Sequence, residues 1–395
     1  MTADYILKHK EIPVMLFKMD DENFKLLDIT EILQEDRLPF GLKDRGNKTQ
    51  YAIQFNNWLA GRGISESRKD FLNIKDKFEV KSSKELMIKA YGLNLTDHYW
   101  FHHVKTDMSW KNKNYFDNTF DKVIPDKGIN PEIDESVTRQ SPNLCVDGSI
   151  EKRWIIKNGE RVLLKGSLYN RMQEPFNEAL VSKILDEYGI KHVLYTLGRT
   201  KEKNIPYSEC KCMVTKDTEY INAQYVMNTK EYYRKEPYLH FLDLCGLNGI
   251  KDAKTNIDEM IALDFIIGNV DRHRGNFGII RNADTLEWLH IAPIFDNGNC
   301  LFYDSENEEM ENWGIDTLGK SFGDSNRLNL QYIGYPEWYK SSGNSLIIDI
   351  MSDFLYKNEK LKQERINKII SVVKDRINVF EREIIKKQKG ISNDR

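Results

Sequence analysis

The chain has few cysteines, no long apolar run, no excess of charge of either sign, and no internal repeat. Its five cysteines, Cys145, Cys210, Cys212, Cys245 and Cys300, are scattered and odd in number, which reads as reduced thiols rather than a disulfide framework. Cys210 and Cys212 form a C-x-C with no second Cys or His pair at zinc-site spacing, so two thiols on one strand is the reading. No stretch approaches the roughly 18 apolar residues of a membrane span, and "MTADYILKHKEIPVML" lacks the apolar heart of a secretory signal. A cytoplasmic location is expected, although an effector secreted without such a signal would share these features. Lysine plus arginine, 58, nearly balances aspartate plus glutamate, 61. That balance argues against a surface that coats nucleic acid or membrane, and no direct nucleic-acid binding is expected.

What is present is an ordinary globular composition, 40% hydrophobic and 30% charged over 395 residues, enough for two or three lobes. "IPVMLFKMD" and "DENFKLLDI" predict a small hairpin, and "QYAIQFNNWLAGRGI" and "SKELMIKAYGL" predict helices from their three-to-four spacing. The aromatic-rich stretch from "GLNLTDHYWFHH" onward reads as irregular and partly buried. Pro, Gly and Asp cluster in residues 124–143, a plausible boundary. Beyond it, "RWIIK", Asn158-Gly159 and "RVLLK" predict a hairpin with a type I′ turn. "EPFNEALVSKILDEYGI" predicts an amphipathic helix stopped at Gly189, and "PYSECKCMV" and "TEYINAQYVM" predict strands. Helices follow, interrupted by a second hairpin from "FGIIRN" to "EWLHIAPIF". The last helix lines Ile366, Ile369, Ile370, Val373, Ile377, Phe380 and Ile384 on one face, a stripe expected to dock on the core. The divisions are 1–125, an N-terminal accessory subdomain; 126–230, a β-rich lobe; and 231–395, a helical lobe. The fold class is α+β, with the bilobal layout of a kinase.

The chemistry concentrates in "LDFIIGNVDRHRGNFGII". Asp271 and Asn276 have the D-x-x-x-x-N spacing of a kinase catalytic loop. Phosphoryl transfer requires a carboxylate to orient or deprotonate the acceptor hydroxyl, and oxygen ligands for magnesium. Twenty residues beyond Asn276, "IFDNG" places Asp296 where a metal-binding aspartate is expected. His273 completes the polar stretch. Upstream, Lys165 ends an apolar strand, the loop "VDGSIEK" with Gly148, Ser149 and Lys152 precedes it, and a helix with Glu178 follows. A lysine held by a helix glutamate is the ion pair that an active kinase needs on the nucleotide phosphates, and the loop amides with Lys152 could cover them.

With "DGSIEK", "LLKGS", "NEAL", "DFIIGNVDRHRGNFGII" and "APIFDNG", the chain resembles the HipA-like serine/threonine kinases, which are related in fold to phosphoinositide 3/4-kinases. The resemblance covers roughly residues 135 to 390. "LPFGL", "NWLAGRGI" and "LTDHYWF" are similar to the N-terminal region of shorter members, the CtkA-like effector kinases. The resemblance implies ATP and Mg2+ as cofactors, Asp271 as catalytic base, Asn276 and Asp296 as magnesium ligands, Lys165 on the phosphates with Glu178 as its partner, and His273 supporting the loop or touching phosphate. It implies a protein Ser/Thr substrate and admits a cognate antitoxin or regulator. Two readings stay beside it: a phosphoinositide kinase, with Arg272, Arg274 and Arg281 as a basic surface, and a regulator acting by partner binding. Ile150 departs from the family's glutamine. Cys145 stands where HipA proteins carry the serine they autophosphorylate, leaving Ser141 or Ser149 as alternative acceptors.

Overall fold

A computed structural model describes residues 2–42, 48–66, 71–120, 141–144, 150–228, 236–334, 336, 339 and 343–388. The N-terminal part comprises β1 (Thr2–His9), β2 (Ile12–Asp20), β3 (Lys25–Ile32), α1 (Lys48–Ala60), α2 (Phe71–Phe78), α3 (Ser83–Lys89) and β4 (Tyr99–His103). Its strands form an antiparallel sheet in the order β3-β2-β1-β4. Alternation along β1 and β2 turns Leu7, Met15, Phe17 and Met19 onto Phe55 and Leu59 of α1 and onto Leu86 and Met87 of α3. The β2–β3 hairpin is as expected. The stretch read as irregular instead supplies β4, an edge strand whose Tyr99, Trp100 and Phe101 are buried. Aromatic residues mixed with His and Asp hid the strand, because here both faces of the segment are covered.

The second part holds β5 (Lys152–Lys157), β6 (Glu160–Lys165), α4 (Gln173–Glu187), β7 (Tyr195–Arg199) and β8 (Pro206–Lys211), with sheet order β5-β6-β8-β7. Asn158 (φ 54°) and Gly159 (φ 82°) make the turn between β5 and β6, the positive φ pair that a type I′ turn demands. Gly189 (φ 66°) ends α4 as expected. The helix is not simply amphipathic: every residue from Gln173 to Ser182 is buried, charged Glu174 and Glu178 included. A polar helix buried all round must find partners for each of its polar groups, and these turn out to be the site.

The third part runs through β9 (Thr218–Asn222), α5 (Ala223–Met227), α6 (Pro237–Leu247), α7 (Ala253–Ile267), β10 (Gly278–Asn282), β11 (Trp288–Ile291), α8 (Asn307–Trp313), α9 (Asn326–Asn329), α10 (Asn344–Tyr356) and α11 (Gln363–Gln388). "TEYINAQYVM" is therefore half strand and half helix. Its strand pairs not with the β5–β8 sheet but with β10, in the order β11-β10-β9. Gly278 is required there, since a Cβ would lie 2.1 Å from the Ile221 carbonyl oxygen. The apolar stripe of α11 docks on α7 and α10 as expected, with Ile370 only half-buried. Leu180, Val181 and Ile184 of α4 belong to the same core. No helix among the described residues is long and apolar enough to cross a membrane.

The N-terminal sheet is joined to the β9–β11 sheet by a buried ionic knot. Glu219 on β9 accepts from His9 of β1 and from Arg281 Nε at 2.6 Å, and Arg281 Nη2 reaches the Tyr99 hydroxyl at 2.9 Å. Burial opposes ionisation of Glu219, but Arg281 and His9 override it and hold its carboxyl well below the ordinary range. Glu219→Ala leaves Arg281 buried without its counter-charge. It is expected to lower the unfolding free energy by about 3–5 kcal/mol, measured by urea denaturation at pH 7; a change below 1 kcal/mol would remove the knot from any structural role.

His98 lies beside this knot, its ring packed edge-on against Trp110 and Phe116 and both its nitrogens buried without a hydrogen-bond partner. Burial, only partly opposed by Glu219, pushes its pKa down to about 4. The folded protein thus keeps His98 neutral where the unfolded chain takes up a proton, so stability falls as the pH drops from about 6.5 to about 4. His98→Phe is expected to remove about 3 kcal/mol from that loss, read as a flatter dependence of stability on pH; an unaltered dependence would show that His98 is not its source.

Candidate active site

Lys165, the last residue of β6, is 4% exposed and its ammonium bonds both Glu178 of α4 and Asp296. Burial disfavours its charge, yet the two carboxylates raise its pKa above the ordinary lysine value. The same ammonium overrides the burial of Asp296 and holds that carboxyl well below its usual range. Burial acts most strongly on Glu178 and pushes its carboxyl up. The ring of Tyr195 lies 5.4 Å from the Lys165 Nζ, a cation–π contact that helps hold the charge.

Asp296 adopts a left-handed backbone, φ 58°, which a residue with a Cβ adopts only where its surroundings enforce it. Those surroundings are α4. Glu178 Oε2 accepts from Asn297 N at 2.9 Å, Asn177 Nδ2 donates to the carbonyls of Gly298 at 2.9 Å and Cys300 at 2.8 Å, and Gln173 Nε2 donates to that of Leu301 at 2.8 Å. One buried helix face thus grips the loop after Asp296 residue by residue.

The loop carrying Asp271 leaves α7 at Gly268, which is left-handed at φ 64°. Asn269 accepts from Asp271 N at 2.9 Å, and Asn276 Nδ2 donates to the Asp271 carbonyl at 2.9 Å, closing the loop on itself. Arg272 is 1% exposed. It pairs with Asp264 at 3.0 Å and donates to the carbonyls of Asn276 at 3.1 Å and Phe295 at 2.5 Å and to the Asn297 side chain. It ties the catalytic loop to the loop carrying Asp296. The Asp271 carboxylate receives Asn299 Nδ2 on one oxygen at 2.9 Å and Lys320 Nζ on the other at 2.8 Å.

A cleft of about 470 Å3 brings Lys152, Lys165, Asp271, His273, Asn276 and Asp296 together, as expected from the sequence. Glu178 lies behind Lys165, at the back of the cleft. His273 is exposed and accepts from Gly275 N at 3.0 Å, so it supports the loop. Gly148, Ser149 and Cys145 lie outside the described residues. Ser141 is fully buried, its hydroxyl accepting from Asn143 N at 3.1 Å, which leaves it no path to a phosphoryl donor in this conformation. The arginine surface is corrected: Arg272 and Arg281 are interior, each neutralised by its own carboxylate, and Arg274 Nε is spent on the Ser321 carbonyl at 3.2 Å.

A crystallised HipA from Shewanella oneidensis, in a complex with HipB and operator DNA, superposes over 96% of this chain and 97% of that one, with a TM-score of 0.52 and 12% identity. The chain has the HipA-like kinase fold. The serine/threonine-protein kinase CtkA of Helicobacter pylori is 26% identical over 192 residues, 47% of this chain and 56% of that protein. The chain thus spans little more than half the length of the curated relative it matches. A crystal structure of the H. pylori proinflammatory kinase CtkA matches over 61% of this chain and 95% of its own, with a TM-score of 0.45 and 19% identity. No family model matches the chain.

Within this HipA-like fold, sequence reasoning missed Asn177, Asn299, Lys320 and the internal role of Arg272. Asn177 carried a signal, since it adjoins Glu178 on a helix with no free face. Lys320 lies 49 residues beyond Asp271 in a stretch without periodicity, and nothing marked it. Lys165→Met removes the ammonium that bonds both the buried Glu178 and the partly buried Asp296. It is expected to cost about 3–5 kcal/mol at pH 7, with part of the loss returning as the pH is lowered, because a carboxyl whose folded pKa is raised stabilises the fold on protonation. Urea unfolding at pH 7 and pH 5 measures both, and an equal deficit at the two values would contradict the account.

Proposed function

We propose that the chain is an ATP- and Mg2+-dependent kinase that transfers the γ-phosphate to serine or threonine hydroxyls of proteins. The observation that carries this reading is Lys165 bonded at once to Glu178 and Asp296, in the cleft that also holds Asp271 and Asn276. Similarity to the H. pylori serine/threonine kinase over 192 residues supports it. Leu163, Val193, Met213, Val214 and Phe295 line the same cleft and offer an apolar slot for a base beside the lysine.

The Lys165 ammonium is fixed by two bonds and aimed into the cleft, so it can hold nucleotide phosphates without being reordered. Asp296, kept ionised, and Asn276 are the oxygen donors that would hold magnesium; two protein oxygens suit Mg2+, which completes its shell with phosphates and water. Bound there, the metal would neutralise charge on the phosphates. Asp271 retains lone pairs on a carboxylate oriented from both sides, and can align an acceptor hydroxyl and take its proton. Arg272 keeps the two loops at a fixed separation.

The lipid reading has lost Arg272 and Arg281 to the interior and keeps only the half-buried Arg274, and protein acceptors are the better-supported class. A HipB-like partner is a further proposal for this chain, resting on the fold it shares with the Shewanella protein. Asp271→Ala is expected to reduce phosphotransfer by on the order of 10² to 10⁴ while ATP still raises the melting temperature. Incubation with γ-labelled ATP and lysate proteins or lipid vesicles tests both statements: full activity in the variant would exclude Asp271, and label in lipid alone would replace the acceptor class.

A further inference from the structure

A second groove, of about 570 Å3, opens on the other side of the catalytic loop from the nucleotide cleft. It is lined by His273, Arg274 and Gly275 on one wall and by residues 319–324 on the other. His273 and Gly275 line both hollows, so the catalytic loop is the ridge between them. Across that ridge runs the bond from Lys320 in the groove to Asp271 in the cleft, 2.8 Å long.

The fold does not need this bond. The segment carrying Lys320 is closed by Gly319 N to the Asp324 carbonyl at 3.1 Å and by Asn326 N to that of Thr317 at 3.0 Å. It is tied to the catalytic loop by Asn326 Nδ2 on the Asn269 carbonyl at 2.6 Å and by Arg274 on Ser321. Phe322 plugs it into the core against the rings of Tyr238 and Phe277. None of these contacts involves the lysine side chain. Lys320 and Asp271 are 45% and 30% exposed at their side chains, and an ion pair so placed contributes under about 1 kcal/mol to stability. A rigid segment therefore presents a cation to the carboxylate that the kinase reading makes the base.

Resting on that reading, we propose that the groove is the acceptor entrance and that Lys320, at its inner end, acts on the transferring phosphoryl group. An ionised carboxylate has about four lone-pair positions, so an acceptor hydroxyl can bond Asp271 Oδ1 while Lys320 remains on it. In the transfer the acceptor oxygen forms a bond to the γ-phosphorus, and the bond from that phosphorus to the β–γ bridging oxygen breaks. ADP leaves with the electron pair and the acceptor proton passes to Asp271. Charge spreads over the equatorial phosphoryl oxygens during this step. Lys165 lies on the nucleotide side of those oxygens and Lys320 on the acceptor side. Lys320 takes no part in the proton transfer and acts on the phosphoryl oxygens as the charge redistributes in the transition state, so its contribution falls on kcat.

Phosphotransfer from Mg-ATP to dephosphorylated casein and to the chain itself provides the test. Lys320→Met is expected to lower kcat on the order of 10²-fold, with KM for ATP and the melting temperature unchanged, and Lys320→Arg to restore most of the rate. A kcat for Lys320→Met within about threefold of wild type, or a loss confined to KM for the acceptor, overturns the assignment while leaving the kinase reading in place. Equal losses in the Met and Arg variants with a lowered melting temperature assign Lys320 to structure and overturn it as well. A wild-type protein that transfers no phosphate removes the kinase reading and this inference together.

Discussion

The ammonium of Lys165 is the charge on which the arrangement of the cleft depends. It ends a strand of one sheet, meets a glutamate on a helix packed into the neighbouring lobe, and meets an aspartate on a loop that follows the β10–β11 hairpin. A strand, a helix and a loop converge on one buried cation. Two carboxylates so close together repel unless the cation lies between them. Their mutual placement is therefore conditional on Lys165, and that of Lys165 on them.

The charges of this protein divide by burial into two kinds. Asp264 with Arg272 and Glu219 with Arg281 are almost wholly excluded from water. A planar guanidinium can satisfy a carboxylate and further acceptors together: Arg272 adds the carbonyls of Asn276 and Phe295, on the loops carrying Asp271 and Asp296, and Arg281 adds the Tyr99 hydroxyl of the N-terminal sheet. Lys320 and Asp271 form the second kind, partly wet and exchangeable. The buried pairs hold the frame, while the Lys320–Asp271 pair bridges the groove and the cleft.

Much of this was legible in the sequence because the chemistry is local there. Asp271 and Asn276 sit five apart in one loop, the Asn158-Gly159 turn declares its hairpin, and the stripe of α11 has one period throughout. Legibility failed where a residue's role depends on an element distant in sequence. Arg272 and Arg274 look alike in "DRHRGN", but only Arg272 meets Asp264, so one becomes a strut and the other reaches a carbonyl at the edge of the groove. β4 was hidden because its pairing partner is β1, about ninety residues earlier, and the pattern of β9 did not show its sheet because its partner, β10, lies about sixty residues later.

Strand β9 explains why the N-terminal subdomain cannot be an independent appendage in this structure. β9 has β10 on one edge, and β10 begins two residues after Asn276. Glu219, within β9, is held from the opposite side by His9 and has the backbone amide of His98 at 3.2 Å. A displacement of the N-terminal sheet would therefore have to break bonds to a fully buried carboxylate or move β9, and moving β9 would move β10. With Gly278 in contact with the β9 backbone, the pairing has no slack to absorb such a shift. The position of the loop carrying Asp271 is consequently set from two directions, by α4 through the loop after Asp296 and Arg272, and by the N-terminal sheet through Glu219.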